Sequence, residues 1–251
     1  MKKFYNIIGF LGLIIFIISC SEEDPLLPLP EINFSTDPEL VEVGKDVVFE
    51  NMTTNASSYK WDFGDGRTSM EINPTIQYDE AGQYTVTLVA YTDDDQSDSL
   101  SRDIDVYQRV MTALGVNSIP FVNGDGADWD DPTGLPDSTK YPDFILAIGP
   151  TDDPDLEKLI ITPTLFDLAP FELPIGFTLN PGGDPFILTN EDWELTFIDL
   201  DGTEEEPEFE LMEVITFNPV LIPTSSVNED GEGFVQIALG QYSVDLLFQL
   251  E

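Results

Sequence analysis

Apolar and polar residues alternate with a period of two along the best-patterned stretches of this 251-residue chain, and that restricts it to extended structure. Tyr84, Val86, Leu88 and Ala90 fall on one side of such a stretch, with Thr85 and Thr87 on the other. Tyr242, Val244, Leu246 and Phe248 repeat the pattern near the C-terminus. Successive side chains of a strand point to opposite faces, so this spacing buries one face of a sheet and wets the other. Beyond the N-terminal apolar run, no segment holds helical spacing for long, and 19 prolines interrupt the chain. The expected fold class is all-β. Hydrophobic residues make up 41%, enough for real cores.

The N-terminus is a different kind of sequence. Lys2 and Lys3 precede an apolar run over residues 4–18, broken only by Asn6 and two glycines. A bilayer span takes roughly 20 apolar residues, so the run is marginal as a span but well sized for a secretory leader over residues 1–19. It ends Ile17-Ile18-Ser19-Cys20, which resembles the bacterial lipobox, in which the cysteine is acylated and becomes the new amino terminus. Cys20 is the sole cysteine of the chain. The acids that follow, Glu22, Glu23 and Asp24, resemble the surface-export signal of Bacteroidota lipoproteins. These resemblances imply a lipid-anchored protein of the outer membrane, exposed on the cell surface, which meets the membrane through its anchor alone. Pro25, Pro28 and Pro30 then stiffen a tether. Residues 20–31 form the lipidated cysteine and this tether, and at about 3.1 Å per residue its reach is roughly 30 Å.

Composition removes much chemistry. The chain has no histidine, which excludes Ser-His-Asp triads and imidazole metal sites. With one cysteine there is neither a disulfide framework nor a thiolate zinc site. The net charge is −40, and −42 once Lys2 and Lys3 leave with the leader. Such a charge repels nucleic acid and anionic lipid and attracts divalent cations or basic partners. Hard cations held by oxygen, and catalysis by carboxylates alone, remain open.

Residues 32–107 carry the string Trp61-Asp62-Phe63-Gly64-Asp65-Gly66, then Asn73-Pro74, then Tyr78, Gly82 and Tyr84. In residues and spacing this resembles the PKD domain. The resemblance implies an immunoglobulin-like β-sandwich with a spacer or binding role. Trp61 is placed to fill the space between the sheets. Asp62 and Asp65 can accept backbone N–H bonds in a tight turn where Gly64 and Gly66 take positive φ. Tyr84 fits the tyrosine corner of such sandwiches.

Residues 108–251 hold 29 acids against 3 bases. Candidate strands span 110–121, 144–148, 159–168, 193–198, 209–217 and 242–250, so a second sandwich in tandem is expected. Acids gather in two places, at Asp125, Asp128, Asp130 and Asp131 and at Asp199, Asp201 and Glu204 to Glu208. The order of strand, acidic loop, Pro142-Asp143-Phe144 and a later strand ending Asp199-Leu200-Asp201 resembles the calcium-binding C-two domain. That resemblance implies calcium, with Asp128 or Asp130, Asp143, Asp199 and Asp201 as ligands. The residues alone allow either a shared cation or two solvated turns. Trp129, in the first acidic loop, reads either as a sugar-stacking platform or as an anchor of its own loop.

These features point to a non-catalytic surface lipoprotein that binds a glycan or a surface protein, or acts as a spacer in an envelope assembly, with no nucleic-acid partner. The alternative is an accessory or catalytic part of a carboxylate-based polysaccharide hydrolase, since PKD domains accompany hydrolases.

Overall fold

The computed structural model describes residues 28–129, 141–154, 158–179, 185–202, 207–222 and 227–251; Cys20 and Asp130 lie outside them. Among the described residues, every element with a long register is a strand, and the one helical element is a 3-10 turn at Pro170–Glu172. The alternating patterns form strands where the sequence places them.

The first unit comprises β1 (Phe34–Asp37), β2 (Val41–Glu42), β3 (Val47–Asn51), β4 (Ser58–Asp62), β5 (Thr68–Ser69), β6 (Thr75–Ile76), β7 (Gly82–Tyr91) and β8 (Ser97–Tyr107). They make a sheet in the order β1-β3-β6 and another in the order β2-β8-β7-β4-β5. Between the two lie Phe34, Phe49, Trp61, Phe63, Val86 and Leu88, all buried. Trp61 has no exposed surface, meets Phe34 edge-on at 5.2 Å, and donates its indole N–H to the Glu71 carbonyl. Burying a side chain of that size contributes roughly 4–6 kcal/mol of apolar transfer.

The turn after β4 closes as its residue types require. Asp62 Oδ1 accepts from Gly64 N at 3.0 Å and Asp65 Oδ1 from Arg67 N at 2.9 Å. Gly64 sits at φ +81°, and a Cβ there would stand 2.8 Å from the Thr85 carbonyl oxygen, so no other residue fits. Tyr84 donates its hydroxyl proton to the Glu80 carbonyl at 2.9 Å, the corner bond expected of it.

The second unit comprises β9 (Arg109–Ser118), β10 (Phe144–Pro150), β11 (Ile160–Ile161), β12 (Ile175–Thr178), β13 (Phe186–Leu188), β14 (Trp193–Gly202), β15 (Pro207–Phe217), β16 (Glu232–Leu239) and β17 (Tyr242–Leu250). One sheet runs β11-β10-β14-β15 and the other β12-β9-β17-β16, with β13 also paired to β9. Phe144, Leu146, Trp193, Leu195 and Phe197 from the first sheet pack on Leu114, Val116, Val244, Leu246 and Phe248 from the second. Both units are therefore β-sandwiches. Of the stretch 159–168 only β11 is strand. Pro163 has no N–H to give a ladder, and Asp167 turns the chain at φ +50°. Three strands, β12, β13 and β16, carry too few apolar residues in alternation to stand out in the sequence.

Candidate functional site

β14 explains how a carboxylate comes to sit inside the second sandwich. Its core-facing residues are Trp193, Leu195 and Phe197, each with no exposed surface, and the next position on that face is Asp199, which has none either. The strand lies between two others: Asp199 is opposite Phe144 on β10 and Glu210 on β15. Asp143, the residue just before β10, holds half of the carboxylate. Asp143 N donates to Asp199 Oδ1 at 2.8 Å, and Leu200 N returns a bond to the Asp143 carbonyl at 2.9 Å. Asp143 is itself fixed, because its Oδ1 accepts from Asp167 N at 2.8 Å. The other Asp199 oxygen, Oδ2, is buried without a hydrogen-bond partner.

Two further carboxylates close on it. Asp199, Asp201 and Glu210 each bring an oxygen within 4.8 Å of the others. Asp201 lies two residues along β14, on the same face. Glu210 arrives by strand pairing, and a bulge sets which residue arrives. Phe197 pairs with Glu213 but Ile198 pairs with Leu211, so Met212 is the extra residue. An unbroken register would have set Leu211 opposite Asp199. The bulge substitutes the carboxylate, and residues opposite one another share a face.

The electrostatics follow from this crowding. Burial, and after it the charge of Asp201, pushes the Asp199 carboxyl up to about 6, against the pull of the Asp143 N–H. Asp143 is raised as well, first by burial, with the charges of Asp167 and Asp201 adding to it.

The remaining sequence candidates lie elsewhere or are occupied locally. Asp128 is exposed and pairs with Val122 across a turn whose N–H groups, from Asp125 and Ala127, bond to Asn123 Oδ1. It is not part of the Asp199 group. Trp129 is half-buried and donates its indole N–H to the Pro120 carbonyl at 3.0 Å, which ties it to its own loop. Nothing in the sequence marks Glu210, because it sits inside an apolar strand pattern and only the bulged register brings it to Asp199.

A second polar constellation joins the two sandwiches. A single residue, Gln108, separates β8 from β9. Arg109, at the start of β9, bonds Glu42 of β2 at 2.7 Å and donates to the Pro219 carbonyl, while its guanidinium lies 4.7 Å from the centre of the Phe248 ring. Lys45 adds a second bond to Glu42 at 2.7 Å. Burial by itself would raise the Glu42 carboxyl, but Arg109 and Lys45 outweigh it and hold the group below its ordinary range. Asn190 Nδ2 donates to the Gly44 carbonyl at 2.9 Å, a further bond across the joint. Beside these contacts a cleft of about 640 Å³ opens between the units, lined among others by Gln77, Asp79, Glu80, Tyr107 and Thr189.

A family model described as the PKD domain matches residues 28–106. The pre-pro-metalloprotease PrtV of Vibrio cholerae serotype O1 (strain ATCC 39315 / El Tor Inaba N16961) is 42% identical over 86 residues, which are 33% of this chain and 9% of that protein. The chain thus spans less than a tenth of the length of this curated relative. Among solved structures, the PKD1 domain of Vibrio anguillarum Epp is 30% identical, with 32% of this chain and 96% of that one covered at a TM-score of 0.29. A structure of carbohydrate-binding modules from the β-sandwich superfamily covers 90% of this chain and 92% of its own at 12% identity and a TM-score of 0.31, too distant to carry a ligand across.

Proposed function

Because residues 28–106 belong to the PKD family, we propose that the chain is a non-catalytic lipoprotein of the cell surface, in which the first sandwich is a spacer and the second meets a glycan or protein partner. Cys20 is the anchor in this reading, and Glu22, Glu23 and Asp24 direct export to the outer face. The observation that carries it is where the first sandwich is entered and left. Pro28, in the last part of the tether, shares a small cleft with Asn55, Ser57, Thr92 and Asp93, next to the turn that leads into β8. The second sandwich leaves from the other end of β8, through Gln108. β8 has 11 residues, so entry and exit are separated by roughly 35 Å at about 3.3 Å per residue.

A short bonded joint supports the spacer role too: Gln108 alone links the units, and the Arg109–Glu42 pair and the Asn190–Gly44 bond span it. Beside the interdomain cleft, Glu42 is committed to Arg109 and Lys45 and is held below its ordinary range, the opposite of a general acid, whose pKa is raised toward the working pH.

Labelling cells with a fatty-acid analogue tests the anchor. The wild type is expected to take up label and Cys20→Ala to lose it; an unlabelled wild type removes the anchor from the reading. Protease added to intact cells tests display. Alanines at Glu22, Glu23 and Asp24 should leave lipidation in place and shield the protein, and unchanged cleavage would overturn the export role.

A further inference from the structure

We infer that Asp199, Asp201 and Glu210 form a binding site for a hard divalent cation of calcium size, built across the paired strands β14 and β15. The site stands apart from the display role: the absence of an anchor at Cys20 would leave it intact. Three observations carry it.

The first is an oxygen with nothing to bind. Buried polar atoms in folded proteins almost always find a partner, and one that does not calls for a water, an ion or a catalytic use. Asp199 has no exposed surface, its Oδ1 is held by Asp143 N, and its Oδ2 has no partner. Asp199 is thus fixed by one oxygen before any ligand arrives, its other oxygen is unpartnered, and two more carboxylates stand close to it.

The second is the spacing. The three oxygens lie within 4.8 Å of one another. Calcium binds oxygens at about 2.3–2.6 Å, so two of its ligands stand at most about 4.6–5.2 Å apart. The group therefore fits inside one calcium shell. Calcium takes about six to eight oxygens, and the exposed side of Glu210 leaves the remainder to water. Magnesium demands about 2.0–2.1 Å and gives up its water reluctantly, so it suits the group less well.

The third is that, among the described residues, no base forms an ion pair with the three acids. Among the described residues the second sandwich has two bases, Arg109 and Lys158, and these pair with Glu42 and Glu191. Neither reaches the three acids as an ion-pair partner. The arrangement differs from the one the sequence suggested, in which two acidic loops met. Here one strand gives two ligands, and its neighbour, displaced by the bulge at Met212, gives the third.

The test uses the full chain, purified in chelator, then titrated calorimetrically and melted with calcium chloride, magnesium chloride or sodium chloride at matched ionic strength. One calcium per chain is expected to bind and raise the melting temperature, magnesium to bind at least tenfold more weakly, and sodium to have no comparable effect. Asp199→Asn and Glu210→Gln should each weaken calcium binding at least tenfold. Glu210 is exposed, so its variant folds even if the buried change perturbs β14. Equal responses to calcium and magnesium that survive both changes would mean diffuse screening of an acidic surface. Absence of binding would mean that the three acids hold no cation. Either result overturns the inference.

Discussion

Arg109 Nε lies 2.7 Å from Glu42 Oε2, and the two side chains are 1% and 8% exposed, so the sandwiches are joined by an ion pair sealed from water. Removing one partner of such a pair leaves the other charge buried and uncompensated, at a cost of about 3–5 kcal/mol. Arg109→Met keeps the stem that packs on Phe248 and deletes the charge. It should destabilise the joint while leaving both cores intact. Differential scanning calorimetry is expected to show two separate transitions in the variant where the parent unfolds in a more concerted way. A melting profile unchanged from the parent would show that the pair contributes nothing to the coupling.

The same pair sets a pH dependence. Glu42 is held below its unfolded value, near 4.3. Its contribution is thus fully present above about pH 4.3 and is lost as the pH falls through the lower folded value. Acid should therefore loosen the joint below about pH 4, and Glu42→Gln should flatten that part of the profile. Stability curves measured by urea unfolding from pH 6 to 3 decide it.

Asp199 has the opposite sign. Its carboxyl is raised to about 6, so the folded chain holds this proton more tightly than the unfolded one does. With chelator present, its contribution makes the second sandwich more stable as the pH falls from about 6 toward 4, and its ionisation at pH 7 is a cost. Asp199→Asn keeps the acceptor for Asp143 N and removes that charge. It should stabilise the cation-free protein at pH 7 on the order of 1–3 kcal/mol and abolish the gain on acidification. A variant less stable than the parent at pH 7 would show that the carboxylate is better accommodated than its burial implies.

Trp61 carries the first core. Trp61→Ala should cost about 3–5 kcal/mol, the range for large aromatic truncations. The loss should fall on the first sandwich, since Trp61 packs on Phe34, Phe49 and Phe63 and its core is distinct from that around Trp193. Near-ultraviolet dichroism and calorimetry would register an early transition with the later one retained.

Local patterns made the strands and turns of the first sandwich legible. Alternation along residues 84–91 commits one face to the interior whatever lies across from it, and Trp61-Asp62-Phe63-Gly64-Asp65-Gly66 closes a turn through bonds that span two residues. Such features need no knowledge of distant partners. Asp199 was visible as an acid at a strand end, but its burial was not, because that depends on the sheet packed over Phe197 and on Asp143 from 56 residues away. Glu210 and Glu42 were less visible still. The first reaches Asp199 because one extra residue, Met212, shifts the parity of β15, and a shift of one exchanges the faces of every residue beyond it. The second reaches Arg109 because β2 joins the edge of its sheet parallel to β8, bringing together residues 67 apart. Register and strand order are chosen by the free energy of the whole packed core, so the acidic group and the joint between the sandwiches exist only once both sheets have closed.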